Sequence, residues 1–232
     1  MTPGAICFDA TGTLIELNES VGDVYHRFAL EHGVDLPAWR IEDAFRRILR
    51  RAPPRGVDGN SVVERRQHEV DWWFERIRET FQATDSTARF EDFPAFAKAL
   101  FDAYRTADLW RLRPGAARML DLLRNQGRHL AIISNFDHRL PEVLKMLDII
   151  RFFDFVAIPS ESGSAKPDRV VFEMASQALR IPLESLVYLG DDEKEALDRI
   201  AGFGLRVYDV REIGELEAFP DLISSAATLP PR

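Results

Sequence analysis

Short apolar runs that end in polar turns form the most regular pattern along the chain. They lie at residues 5–8, 130–133, 155–158, 186–189 and 205–208. Each run has the length of a strand and none alternates apolar with polar residues, which is typical of strands buried on both faces of a parallel sheet. Helical patterns separate the later runs, at 114–126, 138–147, 168–179 and 192–201. This alternation of strand and helix predicts a doubly wound α/β fold.

Residues 15–110 have a different pattern, in which we expect helices and no strand. Helical patterns lie at 20–32, 38–51, 61–81 and 91–106, and proline and glycine interrupt them at 52–60. A helical block inserted directly after the first strand predicts a cap over the carboxyl edge of the sheet, where open α/β sheets bind ligands. We therefore expect a core of residues 1–14 and 111–232 and a helical cap of residues 15–110.

Composition argues against several classes of function. The 30 basic and 38 acidic side chains give a net charge of −8, which disfavours a nucleic-acid partner. We expect no membrane span and no signal peptide, because the chain lacks a long apolar run and a basic leader. Cys7 is the only cysteine, which excludes an internal disulfide and predicts a reducing, cytoplasmic location. The sequence leaves monomer and homodimer both open.

Polar side chains follow four of the predicted elements at the point where an apolar run ends. They are Asp9, Ser134 with Asn135, Lys166, and Asp191 with Asp192. A parallel sheet brings such ends together along one edge. An acid, a hydroxyl and an ammonium beside a second acid cluster suit a small anionic substrate that a carboxylate attacks next to a divalent cation.

The stretches that carry these residues resemble the four ordered motifs of the haloacid dehalogenase-like (HAD) hydrolase superfamily. They are FDATGTL at 8–14, IISNFD at 132–137, SAKPDRVVF at 164–172 and YLGDDEKEA at 188–196. The resemblance covers residues 1–14 and 111–232, and the helical insert is similar to the family's cap in its usual early position. It implies a three-layer, Rossmann-like catalytic core that hydrolyses small phosphorylated metabolites with Mg²⁺ as cofactor.

The resemblance implies a nucleophile and a metal site at matching positions. Asp9 would attack the electrophile and form an aspartyl intermediate. The carboxylate of Asp9, the main-chain carbonyl of Thr11 and the carboxylate of Asp191 would hold Mg²⁺, since all three are hard oxygen donors.

The resemblance also implies a binding site for the phosphoryl group. The Ser134 hydroxyl and the backbone N–H of Asn135 would bind phosphoryl oxygens, and the N–H groups of the Thr11-Gly12-Thr13 turn would do the same. Lys166 would offset charge on both the nucleophile and the substrate.

The sequence departs from the family's pattern at Thr11. Phosphatases of this superfamily usually carry a second aspartate at that position, which acts as general acid and then as general base. A threonine hydroxyl is too weak an acid to donate at neutral pH, and the loss of a positioned acid–base group typically costs about 10²–10⁴ in rate. The rate should fall least for substrates whose leaving group needs little protonation.

The last motif also departs from the pattern. The position five residues after Asp191 commonly holds a further aspartate, but it is Ala196 here. Asp192 and Glu195 are the candidate replacements as metal ligands.

Three functions stay open at this point. The first is a Mg²⁺-dependent phosphatase with weakened acid–base catalysis. The second is a 2-haloacid dehalogenase, which needs no acid because halide leaves as a stable anion; its last motif, however, is typically serine-rich where this chain has Gly190-Asp191. The third is a non-catalytic binding protein with the same fold.

Overall fold

The computed structural model describes residues 4–55 and 57–225. The chain forms two compact units. One, the core unit, comprises the residues up to Glu16 together with those from Trp110 onward, and the other, the helical unit, is Leu17–Leu109.

Parallel strands form the main sheet of the core unit. In chain order the described strands are β1 (Ala5–Phe8), β2 (Ile15–Leu17), β3 (Trp110–Leu112), β4 (His129–Ile133), β5 (Phe155–Ala157), β6 (Leu186–Gly190) and β7 (Arg206–Asp209). The sheet has the order β5-β4-β1-β6-β7, and all its pairs are parallel. In register, Cys7 of the central strand lies between Ala131 and Tyr188. The predicted parallel α/β sheet is confirmed.

A second, two-stranded sheet pairs β2 with β3. The expectation that residues 15–110 contain no strand was therefore wrong at its ends, in Ile15–Leu17 and at Trp110. Each of these strands has only 3 residues, which is too short for an apolar period to show, and their pairing joins segments that are far apart in sequence.

Helices make up most of the helical unit, as predicted. They are α1 (Val21–Glu31), α2 (Ala38–Arg51), α3 (Val62–Thr84) and α4 (Phe93–Ala103). Ser20 and Ser61 cap α1 and α3, because each side chain accepts a hydrogen bond from a free N–H of the first turn. Phe81 and Phe96 pack edge to face, with ring centroids 5.2 Å apart, in the core of this unit. In the part of the chain that the structure describes, no helix combines the length and the apolar character that crossing a bilayer requires.

Helices cover both faces of the main sheet. They are α5 (Ala116–Asn125), α6 (Leu140–Met146), α7 (Pro159–Ser162), α8 (Arg169–Leu179), α9 (Lys194–Ala201) and α10 (Phe219–Ser225). On one face, Phe172 of α8 meets the Tyr188 ring edge to face at 5.5 Å. On the other face, Phe8 meets Phe219 of α10 at 6.4 Å. Successive strand residues point to opposite faces, so these contacts define three layers.

Candidate active site

The ends of three adjacent strands place acidic and hydroxyl side chains at one edge of the sheet. Asp9 follows β1, Ser134 follows β4 and Asp191 follows β6, and β1 lies between the other two. The Asp9 N–H donates to Leu189 O at 2.9 Å, which continues the sheet ladder to Asp9. The strands are parallel, so the predicted convergence of these groups at the carboxyl edge is what the topology produces.

Lys166 lies between α7 and α8 and reaches this edge with a buried side chain. Its Nζ is 2.9 Å from Asp9 Oδ2 and 2.8 Å from Asp192 Oδ1, and it donates to Tyr188 Oη at 2.6 Å. An ammonium has three hydrogens, so these partners use all of them. Burial alone would lower the pKa of Lys166, but the carboxylates of Asp9 and Asp192 reverse this and raise the pKa above its ordinary value. The contacts with Asp9 and Asp192 therefore favour the charged form of Lys166.

Asp191 packs against the turn that follows Asp9. A Cβ added to Gly12 would lie 2.6 Å from Asp191 Cγ, and Gly12 has a φ of +77°, so only glycine fits this position without displacement. The Thr13 hydroxyl donates to Asp191 Oδ1 at 3.5 Å. Partial burial, and after it the charge of Asp9, raises the pKa of Asp191 to about 6. Two carboxylates are thus crowded at this edge.

The loop after β4 is tied to Lys166 and to itself. The Asn135 side chain donates to Lys166 O at 3.0 Å and accepts from Lys166 N–H at 2.8 Å. Ser134 Oγ accepts from Phe136 N–H at 3.3 Å. Asp137 and Arg139 form a buried bidentate ion pair, with Arg139 Nε and Nη2 donating at 2.8 and 2.6 Å. Asn135 therefore holds the backbone of Lys166 with both ends of its amide.

The Thr11-Gly12-Thr13 turn uses part of its hydrogen-bonding capacity internally. The Gly12 N–H donates to Ile15 O at 2.8 Å, and the Thr13 N–H donates to Ala10 O at 3.3 Å. A phosphoryl oxygen would have to displace these bonds. The expectation that the N–H groups of Thr11, Gly12 and Thr13 bind the substrate stays a prediction. The Thr11 side chain is exposed.

Comparison with known proteins identifies the family. A sequence model described as haloacid dehalogenase-like hydrolase matches residues 3–197. The chain belongs to the haloacid dehalogenase-like hydrolases. It is 32% identical over 187 residues to haloacid dehalogenase-like hydrolase domain-containing protein 3 of Xenopus laevis, covering 81% of this chain and 75% of that protein. The three-layer Rossmann-like core and the hydrolase family expected from the motifs are thus confirmed.

Solved structures of HAD-like hydrolases share the fold. A HAD family hydrolase from Deinococcus radiodurans R1, crystallised with bound phosphate and sodium, has a TM-score of 0.66 and 19% identity, and the match covers 100% of both chains. A dehalogenase in an intermediate complex has a TM-score of 0.61 and 22% identity, covering 92% of this chain and 87% of the other. At these identities the likeness establishes the architecture, and the choice between reactions depends on the site.

Two of the expected metal ligands of this HAD-like hydrolase, Asp192 and Glu195, have different surroundings. Asp192 faces Lys166, and its Oδ2 accepts from the Tyr188 hydroxyl at 2.5 Å. Glu195 is exposed in the first turn of α9. Among the described residues, no three His, Cys, Asp or Glu side chains are grouped so as to hold a metal ion. The metal-ligand roles of Asp192 and Glu195 stay predictions, as do those of Asp9, Thr11 and Asp191.

Two residues of the site were missed by the sequence analysis. Tyr188 lies inside an apolar strand, where it is indistinguishable from a core aromatic except that a buried phenol needs a hydrogen-bond partner. Arg113 donates from Nη1 to Gly12 O at 2.6 Å and from its N–H to Leu14 O at 2.9 Å. An arginine two residues before a glycine turn carries no signal of this role, because the contact joins segments that are distant in sequence.

Proposed function

We propose that this HAD-like hydrolase removes phosphate from small phosphorylated metabolites through an aspartyl intermediate on Asp9. The observation that supports this most directly is the Lys166–Asp9 contact of 2.9 Å at the carboxyl edge of the sheet. The Ala10 N–H donates to Asp9 Oδ1 at 2.7 Å, so both oxygens of the carboxylate are oriented. A carboxylate fixed in place is what nucleophilic catalysis by aspartate requires.

The proposed reaction has two steps. An Asp9 oxygen bonds to phosphorus while the bond from phosphorus to the leaving oxygen breaks, and that oxygen takes a proton from water. Water then attacks the phosphoaspartyl group, which releases inorganic phosphate, restores the carboxylate and sends a proton to solvent. The Ser134 hydroxyl and the Asn135 N–H are proposed to hold phosphoryl oxygens, and the Lys166 charge opposes the build-up of negative charge.

We propose Mg²⁺ as the cofactor, held by the carboxylates of Asp9 and Asp191 and the main-chain carbonyl of Thr11. The donor set fits, because all three are hard oxygen ligands. Burial, and after it the charge of Asp9, raises the pKa of Asp191 to about 6, and a divalent cation would relieve the crowding of these two carboxylates. When bound, the ion supplies positive charge that stabilises the phosphoryl oxygens.

Threonine at position 11 sets the proposed preference for leaving groups. The Thr11 hydroxyl cannot replace a carboxylic acid as proton donor at neutral pH, so esters whose leaving oxygen has a low pKa should react fastest. By its similarity to the family's cap, the helical unit is proposed to select the substrate. We further propose a cytoplasmic location.

The test is a panel of phosphate esters graded by leaving-group pKa, together with 2-haloacids, assayed with Mg²⁺ and with EDTA. Release of phosphate that requires Mg²⁺ and disappears in Asp9→Asn supports the proposal. Asp121→Asn, an exposed position on α5, is the matched control and should keep the wild-type rate. Halide release that EDTA leaves unchanged would replace the proposal by the dehalogenase function. Absence of turnover on both panels would favour the non-catalytic alternative.

A further inference from the structure

Tyr188 combines a buried apolar setting with a polar contact that its position in the core does not explain. The residue is fully buried in β6, and its ring packs edge to face on Phe172 at 5.5 Å. Its hydroxyl nevertheless lies at the polar edge of the sheet, 2.6 Å from Lys166 Nζ and 2.5 Å from Asp192 Oδ2. A phenylalanine would fill the same apolar space.

The directions of these hydrogen bonds form a closed set. Lys166 Nζ donates to Tyr188 Oη, and the Tyr188 hydroxyl donates its own hydrogen to Asp192 Oδ2. Asp192 in turn spans the ammonium, with Nζ at 2.8 Å from Oδ1 and 3.1 Å from Oδ2. The third partner of the ammonium is Asp9 Oδ2 at 2.9 Å. Lys166, Tyr188 and Asp192 therefore each limit where the other two side chains can lie.

We infer that Tyr188 is a positioning residue, whose hydroxyl holds Asp192 on Lys166 and thereby keeps the Lys166 ammonium against Asp9. This assigns Asp192 to the lysine and leaves the metal to other residues. The structural part of the inference stands on contacts alone, whereas its effect on rate rests on the proposed function.

Removing the hydroxyl has a definite consequence for Lys166. In Tyr188→Phe one N–H of the buried ammonium loses its acceptor, and Asp192 loses a donor. The loss of one hydrogen bond to a charged group corresponds to about a 10- to 100-fold change in an equilibrium between ordered and open arrangements. Lys166 should therefore leave its place against Asp9 more often.

The experiment observes the ammonium group directly, in ¹H–¹⁵N spectra of protein labelled at lysine. The chain has four lysines, Lys98, Lys145, Lys166 and Lys194, and all but Lys166 are exposed. Exposed ammonium hydrogens exchange quickly with water, so the resonance that persists at neutral pH should belong to Lys166. Lys166→Met assigns it. Tyr208→Phe, on the adjacent strand β7 and packed on Phe219, is the matched control.

We expect Tyr188→Phe to shift this resonance and to speed its exchange with water by about 10- to 100-fold, whereas Tyr208→Phe leaves both unchanged. On the best phosphate ester, kcat should fall by about tenfold and KM should change less, because the Lys166 charge acts mainly on the negative charge that builds up during the reaction. Asp192→Asn gives the same spectral change and serves as the second variant if Tyr188→Phe does not fold.

The outcomes separate the two proposals. An unchanged Lys166 resonance and exchange rate in folded Tyr188→Phe would overturn the inference, and so would a shifted resonance with an unaltered kcat. If the wild type hydrolyses no ester but Tyr188→Phe still changes the Lys166 resonance, the contact network is supported and only the proposed function is overturned.

Discussion

Replacing Gly12 with alanine introduces a methyl group where the structure holds the carboxylate of Asp191. The new Cβ would lie 2.6 Å from Asp191 Cγ and closer still to Oδ2, so the carboxylate has to move. Gly12 also has a φ of +77°, and a left-handed conformation costs an alanine about 1–2 kcal/mol. The variant therefore combines backbone strain with displacement of a proposed metal ligand, and these two effects must be separated.

Gly127→Ala separates them. Gly127, also in the core unit, has a φ of +73°, and an added Cβ there meets nothing within 4 Å. This control carries the backbone strain alone and should lower Tm by about 2–8 °C. Gly12→Ala should lose about 1–3 kcal/mol more in free energy of unfolding, as is typical of overpacking.

Binding of Mg²⁺ is the decisive measurement. Moving the Asp191 carboxylate should lower the affinity for Mg²⁺ by about 10- to 100-fold in Gly12→Ala. This is the range typical of losing a contact that holds a metal ligand in place. Gly127→Ala should bind Mg²⁺ like the wild type, as measured by titration calorimetry. If both variants bind Mg²⁺ equally well, Asp191 is not a ligand that Gly12 keeps in place, and the argument from their packing fails.

Three further predictions test other parts of the molecule. Asp9→Asn should abolish turnover on the best ester, and a wild-type rate in the purified variant would exclude Asp9 as the nucleophile. Thr11→Asp should raise the rate on esters with poor leaving groups by up to about 10²-fold; no gain with the fold and Mg²⁺ affinity intact would contradict the missing-acid account. Burial opposes the charged form of Asp154, but hydrogen bonds from Arg124 and His129 outweigh it and lower its pKa below 3.8. A lowered pKa stabilises the fold above that pH and less below it, so Asp154→Asn should cost about 0.5–1 kcal/mol at pH 7 and converge with the wild type as pH falls below 3.8. A constant difference in urea unfolding across that range would refute this account.

The strands and the edge they share could be predicted because both depend on local pattern. Apolar runs without alternation mark buried parallel strands, and parallel strands bring their carboxyl ends to one side. For this reason Asp9, Ser134 and Asp191 were recognised as neighbours from the order of the chain alone. The helices of the helical unit were equally visible, since their caps and breaks are signals within a few residues.

The different contacts of Asp191 and Asp192 could not be predicted from the sequence. The two residues are adjacent in sequence, but Asp191 packs on Gly12 whereas Asp192 contacts Lys166 and Tyr188. Side chains of successive extended residues point in opposite directions, and which of them meets the lysine depends on contacts between distant segments. The same applies to the N–H groups of the turn, whose internal bonds depend on its three-dimensional path.

The charges at the sheet edge favour a metal-dependent phosphatase over a dehalogenase. The Lys166 ammonium contacts Asp9 and Asp192, while Asp191 lies within the field of Asp9 and has its pKa raised to about 6 by burial and by that charge. Like charges at close range repel each other, and more strongly as their surroundings become less polar. A dehalogenase would keep this repulsion and would also have to bind a substrate that carries a carboxylate of its own. A bound divalent cation would remove the repulsion. Asp191→Asn should therefore lower both the affinity for Mg²⁺ and the rate of phosphate release. If the reaction were dehalogenation, the same change should raise the rate of halide release.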